Sequence, residues 1–210
     1  MPVEVGHPST AGAAARTGRE HLLAAADTLR DAADACGASI AEAAAVITDA
    51  LSGSGKLLLC GNGGSAADCQ HMAAELVSCL TQDFVRPGLA AVALTTDTSC
   101  ITAYANDFGF EGVFARQVQA LGRPGDVLFA ISTSGGSRNV HVALEQARRS
   151  GLGTIALVGA DGGVCAQAAD VVISVPARAT QHVQEAHIAI EHVLCHLVER
   201  AVCGPEGAGA

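Results

Sequence analysis

The chain has 210 residues, of which 50% are apolar and 16% are charged, so it can bury a hydrophobic core and is not a disordered protein. Twelve basic against 21 acidic side chains give a net charge of −9, which argues against binding to the phosphate backbone of nucleic acids. No uninterrupted apolar run approaches the ~18–20 residues that span a bilayer, and the first residues lack the basic-then-apolar layout of a secretory signal. The sequence therefore predicts a cytoplasmic protein with neither a nucleic-acid nor a membrane partner.

The N-terminal quarter of the chain is predicted to be helical. Residues 1–16 and 203–210 carry no apolar pattern and are predicted to be poorly ordered tails, with a single domain over residues 17–202 between them. Apolar side chains recur at helical spacing over residues 17–52. Because the Cys36-Gly37 pair interrupts this spacing, we expect two helices joined by a short turn.

Five short apolar runs follow, and they alternate with amphipathic, helical stretches. Continuous apolar runs are typical of strands that are buried on both faces, and the strand–loop–helix repeat predicts an α/β fold with a parallel sheet and helices on both sides. Ligands bind such sheets at the carboxyl ends of the strands, so the loops there are the candidate functional segments. The runs are residues 56–60, 89–95, 126–132, 154–159 and 170–175, and a final helix is predicted over about residues 180–202.

The eight cysteines are predicted to be reduced. None of them has CxxC spacing, and most of them lie inside apolar segments. In a chain of this length that pattern is typical of core thiols rather than of a disulfide scaffold.

The loop after the first run is rich in glycine and reads GNGGSAA over residues 61–67. Glycines let backbone N–H groups approach an anion closely, and the helix that follows directs its positive end to the same place. The loop lacks the GxxxxGK[ST] pattern of a nucleotide P-loop, and Ala66 breaks the GxGxxG pattern. A phosphate site and a tight turn without a ligand both remain open for this loop alone.

A second loop of the same kind follows the third run and reads STSGGS over residues 132–137. Its four hydroxyl groups and its backbone amides, beside a helix N-terminus, suit a phosphate dianion. Helix capping is the alternative, but a cap requires one hydroxyl group and not four. Two neutral Ser/Gly loops favour a small sugar phosphate over a nucleotide as the ligand.

His71 and Glu75 are four residues apart on the predicted helix after the first loop, so they lie on one face of it. Such a pair could bind a divalent metal or place a base beside a sugar carbon. An exposed pair on a solvated helix face is the alternative.

The final helix carries four histidines within fifteen residues, which is more than an ordinary solvated face contains. Spacing alone nominates His187 with Glu191, or His192 with His196, as a metal-binding pair. The histidines are His182, His187, His192 and His196.

Four segments together resemble the phosphoheptose isomerases of the sugar isomerase (SIS) family. They are CGNGGSAADCQHMAAEL, ANDFGFEGVFARQV, GDVLFAISTSGGSRNV and VQEAHIAIEH, in family order, and the similarity runs from about residue 20 to residue 200. The resemblance implies a three-layer sandwich around a five-stranded parallel, flavodoxin-like sheet, with N-terminal helices. It also implies a homotetramer with sites between subunits that converts sedoheptulose 7-phosphate to D-glycero-D-manno-heptose 7-phosphate, the first step of activated heptose biosynthesis.

The resemblance also implies a set of functional residues. Glu75 would be the base and His192 the acid of an aldose–ketose isomerisation through an ene-diol, and one zinc ion per subunit would be bound. The implied zinc ligands are His71, Glu75, Gln184 and His192. The implied substrate contacts are Asn62, Gly63, Gly64, Ser65, Glu75, Asn106, Asp107, Ser132, Thr133, Ser134, Ser137 and Gln184.

Two features complicate this assignment. Gln184 and His192 are eight residues apart, a rise of ~12 Å in an ideal helix, so both can reach one ion only if it lies alongside the helix. Gln181 stands where some family members have Asp, and an amide cannot act as a base.

A non-catalytic regulator is the rival interpretation. The same scaffold occurs in a DnaA initiator-associating protein, which replaces the residues that match Glu75 and His192. Both are present in this chain, which favours the enzyme.

Overall fold

The computed structural model describes residues 8–204, with side chains described from residue 11. The helices are α1 (Pro8–Ser52), α2 (Gly64–Val77), α3 (Thr98–Phe108), α4 (Val113–Leu121), α5 (Arg138–Arg149), α6 (Gly163–Ala168) and α7 (Thr180–Cys203), with a single 3-10 turn at Phe110–Gly112. The strands are β1 (Leu57–Gly61), β2 (Ala91–Ala93), β3 (Val127–Ser132), β4 (Gly153–Gly159) and β5 (Val171–Val175).

The five strands form one parallel sheet in the order β2-β1-β3-β4-β5. One core cluster packs α1, α2 and α7 on one face of the sheet, and a second packs α4, α5 and α6 on the other. Strands β1 and β3 are buried throughout, as their continuous apolar sequences predict. The predicted α/β sandwich is therefore confirmed, although β2 is shorter than the apolar run from residue 89 to residue 95.

Helix α1 is continuous, so the prediction of two helices with a break at Cys36-Gly37 is wrong. Cys36 is buried and donates a hydrogen bond from Sγ to the carbonyl oxygen of Ser174, 3.3 Å away, at β5. A glycine inside a helix costs only about 1 kcal/mol. Packing of the apolar face of α1 against β5 and α7 outweighs that cost.

Helix α1 also begins earlier than the sequence pattern predicts. Residues 8–16, expected to belong to a poorly ordered tail, lie in the helix. Proline suits the first position of a helix because its missing N–H would have no partner there. The rest of that predicted tail, residues 1–7, and residues 205–210 of the other lie outside the described residues.

The stretch Ala11–Ser52 of α1 is long and apolar enough to cross a membrane by length and composition, with a mean hydropathy of 1.2. A core helix of a water-soluble protein passes the same test, and the second half of α1 packs on α7 and β5. The match is therefore weak evidence for a membrane segment.

All eight cysteines are free thiols. Five are buried, and Cys79, Cys100 and Cys203 are half-buried. Burial raises the pKa of the Cys165 thiol to about 11, so this side chain is neutral at physiological pH. This agrees with the prediction of reduced core thiols.

Candidate active site

The two Ser/Gly loops lie side by side because β1 and β3 are neighbours in the sheet and end at the same edge. Between them is a cavity of about 260 Å³. Loops at the carboxyl ends of adjacent parallel strands are where such folds bind ligands. The cavity is lined by Asn62, Gly63, Gly64, Ser65, Ile131, Ser132, Thr133, Ser137, Thr180 and Gln184.

The first loop is held by its glycines and by an amide pair. Gly63 has φ +58°, in the left-handed region that favours glycine. The side chains of Asn62 and Asn139 exchange two hydrogen bonds of 2.9 Å, and Asn139 also accepts one from the backbone N–H of Val140. This pairing links the first loop to the start of α5. The two loops on either side of the cavity are therefore fixed in position relative to each other.

The serines of the second loop do not cap α5. Ser137 occupies the capping position but makes no side-chain capping bond. Its Oγ lies 2.9 Å from the Oγ of Ser132 instead, and Ser134 accepts a hydrogen bond from the N–H of Gly136. The capping alternative is therefore wrong, and three of the four hydroxyl residues of the loop, Ser132, Thr133 and Ser137, line the cavity.

Two helices direct their positive ends to this cavity. Helix α2 begins at Gly64, and no side chain caps it; helix α5 is likewise uncapped at Arg138. Uncapped N-terminal amides retain the capacity to bind an anion. Every residue that lines the cavity is uncharged, so these amides and the hydroxyl groups are the features of the cavity that could bind an anion.

Gln184 lies against the first loop. A Cβ atom added at Gly64 would be 2.4 Å from Nε2 of Gln184. Only glycine at position 64 leaves room for this amide, which brings α7 into the cavity. Gly64 belongs to the sequence motif of the first loop, and its contact with Gln184 gives a physical reason for a glycine at this position.

The predicted His/Glu cluster forms about two turns along α2 from the first loop. Nε2 of His71 lies 2.8 Å from Nε2 of His192 and 3.8 Å from Oε1 of Glu75. Oε2 of Glu75 is buried, and it has no hydrogen-bond partner among the described residues. Glu75 therefore places a carboxylate group with one unpartnered oxygen next to His71, and such a group could act as a metal ligand or as a proton acceptor.

No sequence pattern singles out Arg86, which positions this cluster. The guanidinium group of Arg86 donates to the carbonyl oxygens of Glu75 and Leu76, both at 2.8 Å, at the end of α2. It also donates to Oε2 of Glu199 on α7 at 3.1 Å, and both side chains of this ion pair are almost fully buried. A single Arg in the loop after a helix gives no sequence signal of such a role.

Two buried groups, Glu191 and His187, and the half-buried Asp68 have shifted pKa values. Burial, reinforced by Asp68, raises the pKa of Glu191 to about 9, so Glu191 is neutral at pH 7. Burial also raises the pKa of Asp68, against the opposing effect of His71. Burial lowers the pKa of His187 to about 4. Glu191 therefore contributes no negative charge at pH 7, and the pair of His187 with Glu191 is not charged.

Three predicted substrate contacts lie apart from the cavity lining. Asn106 and Asp107 are exposed in the last turn of α3, where the Asn106 amide donates to Oδ1 of Asp107 at 2.8 Å. Ser134 is exposed at the rim of the second loop. The structure brings the other predicted residues to the cavity or to the cluster beside it.

This fold and site define a class. Residues 20–159 match the model of the SIS domain, which is two thirds of the chain. The chain therefore belongs to the SIS domain family.

Several proteins that this chain resembles over most of its length are phosphoheptose isomerases. Those of Akkermansia muciniphila and Rhodospirillum rubrum are 48% and 53% identical, over 89% and 80% of this chain and 97% and 88% of theirs. Phosphoheptose isomerase GmhA from Neisseria gonorrhoeae has a TM-score of 0.82 at 43% identity, covering 88% of this chain and 97% of its own. The phosphoheptose isomerase from Francisella tularensis has a TM-score of 0.85 at 35% identity, covering 89% of this chain and 98% of its own.

Proposed function

We propose that this protein is an aldose–ketose isomerase that converts sedoheptulose 7-phosphate to D-glycero-D-manno-heptose 7-phosphate in the cytoplasm, the first step of activated heptose biosynthesis. The observation that carries the proposal is that α2 begins at the cavity between the two Ser/Gly loops and presents Glu75 about three turns further along. A phosphate group at the loops would therefore place the other end of an extended sugar beside the His/Glu cluster.

The reaction moves a proton between C1 and C2 through an ene-diol, so it needs a base at carbon and an acid at oxygen. The buried, unpartnered Oε2 of Glu75 suits the base. His192 is exposed beside His71 and can hold or release a proton at its Nε2. The neutral loops supply remote binding energy that positions the reacting carbons.

The donor types of His71, Glu75 and His192 suit zinc, with Gln184 as the fourth ligand in the proposal. Their donor atoms do not all lie within 4.8 Å of one another, so these side chains would have to draw together around the ion. When bound, zinc polarises the sugar carbonyl group. Glu75 cannot bind zinc fully and act as a free base at once. The His71→Ala variant should contain one zinc ion less per chain and lose activity. Unchanged zinc by elemental analysis in that variant would exclude this ligand set.

The assembly in the proposal is a homotetramer whose sites take residues from more than one subunit. An apolar groove between α1 and α7 supports it, because Leu29 and Val193 are exposed there beside the half-buried Ile40. Multi-angle light scattering should give four times 21.0 kDa. The substitution Val193→Glu should dissociate the assembly, and a wild-type monomer at micromolar concentration would contradict it.

Incubation with sedoheptulose 7-phosphate, followed by NMR detection of the aldose product, tests the function directly. The rival function, a non-catalytic SIS regulator, gives no product in this experiment. Glu75 and His192 are both present and both lie close to His71, which favours the enzyme over the regulator.

A further inference from the structure

A second histidine cluster lies outside the candidate active site, where helix α1 meets the start of α7. Nε2 of His21 lies 2.8 Å from Oε1 of Glu185, and Nδ1 of His182 lies 2.8 Å from Oε2 of the same carboxylate. The two imidazole rings are 4.5 Å apart between centroids. Both histidines therefore direct a nitrogen to one carboxylate group.

The donor atoms of this cluster are close enough to share one ion. One ligand atom from each residue can be chosen so that all three lie within 4.8 Å of one another. Within the described residues 8–204, no other group of three His, Cys, Asp or Glu side chains meets this condition. A set of two imidazole nitrogens and one carboxylate oxygen is typical of Zn²⁺ sites. Mg²⁺ and Ca²⁺ instead prefer sites made of oxygen ligands.

We propose that His21, His182 and Glu185 form a Zn²⁺ site that fastens helix α1 to helix α7. Three protein ligands leave a fourth position for water. The side chains of His21 and Glu185 are 41% and 38% exposed, so an ion can enter from solvent. The Glu185 carboxylate supplies one negative charge to the three-ligand set, which favours a cation there.

This site is separate from the zinc site of the proposed function. His182 and His192 are ten residues apart in α7, which is a rise of about 15 Å. The inference does not depend on the proposed isomerase activity, because it uses none of the residues assigned to catalysis or to the first zinc ion.

The site explains a feature of α1 that the core does not. Residues 11–20 are exposed on all sides, so the early part of the helix has few packing contacts to hold it. His21 is the first half-buried side chain along α1, and its partners lie on α7. A metal ion there would fix the point at which α1 leaves the body of the domain.

Zinc binding to the purified full chain tests the site, with isothermal titration and elemental analysis as the measurements. Compared with wild type, His21→Gln should bind one Zn²⁺ less per chain, or bind it at least tenfold more weakly. The control His196→Gln removes an exposed histidine of α7 and should leave zinc binding unchanged. Circular dichroism establishes that each variant is folded.

The two zinc sites are distinguished by combining His21→Gln with His71→Ala. If both sites exist, each substitution removes one ion and the double variant loses both. If only the inference fails, His21→Gln and His182→Gln bind as much zinc as wild type, and the cluster is a hydrogen-bonded clamp without a metal. If only the first zinc site fails, His71→Ala has no effect while His21→Gln still loses one ion.

Discussion

The Nε2 atoms of His71 and His192 lie 2.8 Å apart, although 121 residues separate the two histidines in the chain. One imidazole is carried by α2 and the other by α7, and these helices pack on the same face of the sheet. The contact between the two imidazoles therefore adds a residue of α7 to the His71 and Glu75 pair on α2. The geometry of this cluster therefore depends on how α2 and α7 pack, as well as on the residues themselves.

The substitution Glu75→Gln should separate chemistry from binding. The amide keeps the shape of the side chain but cannot accept a proton from carbon. We expect kcat to fall about 10²–10⁴-fold, the usual contribution of a general base, while sugar-phosphate affinity changes by less than about tenfold. Turnover followed by NMR and affinity measured by calorimetry test this.

The matched control for Glu75→Gln is Glu145→Gln. Glu145 also follows a histidine by four residues, with Oε1 3.5 Å from Nε2 of His141, but it lies on α5. Its variant should turn over like wild type. Near-normal turnover in Glu75→Gln would show that Glu75 is a ligand or a structural residue and not the base.

The substitution Gly64→Ala should act through Gln184. The new methyl group would displace the Gln184 amide, the flexible end of a side chain, so the protein should fold while substrate affinity falls. A double-mutant cycle is the measurement. In a Gln184→Ala background, Gly64→Ala should have little further effect.

The control for this cycle is Gly136→Ala in the second loop, where a Cβ atom would be 3.6 Å from Ser134 Oγ, an ordinary contact. It should bind substrate nearly as well as wild type. Full additivity of Gly64→Ala and Gln184→Ala would contradict the predicted contact.

The substitution Arg86→Ala should destabilise the fold, because it leaves the buried Glu199 without its partner. Breaking a buried ion pair from one side costs about 3–5 kcal/mol. Urea unfolding should show this loss, and Arg86→Lys should also be destabilised, because lysine cannot serve two carbonyl oxygens and a carboxylate with a planar group. The exposed pair of Arg178 with Asp161 provides the control, and Arg178→Lys should change stability by less than about 1 kcal/mol.

Alkylation of the native protein should distinguish two classes of cysteine. At pH 8, iodoacetamide should label at most the three half-buried thiols, Cys79, Cys100 and Cys203. Cys165 should stay unlabelled because it is buried and its pKa is raised to about 11, so that little thiolate forms. Mass spectrometry counts the labels. Rapid labelling of Cys165 in the folded protein would contradict its burial.

The sequence by itself determined the sheet and the position of its loops. Short continuous apolar runs that alternate with helical stretches are typical of strands buried on both faces, and their order along the chain predicts a parallel α/β topology. The two Ser/Gly loops follow directly, since they come after β1 and β3 in the sequence. The His71 and Glu75 pair was visible too, because helical spacing places both on one face.

Tertiary structure alone decided which residues from distant elements meet. Local spacing predicted a break at Cys36-Gly37, but packing of α1 on β5 and α7 keeps the helix whole. Spacing also cannot select among the histidines of α7, since the choice depends on how that helix lies over α2. No sequence pattern indicated the role of Arg86, because its partners are backbone carbonyl oxygens and a carboxylate 113 residues away. Such contacts depend on relative positions in space, which short-range periodicity does not encode.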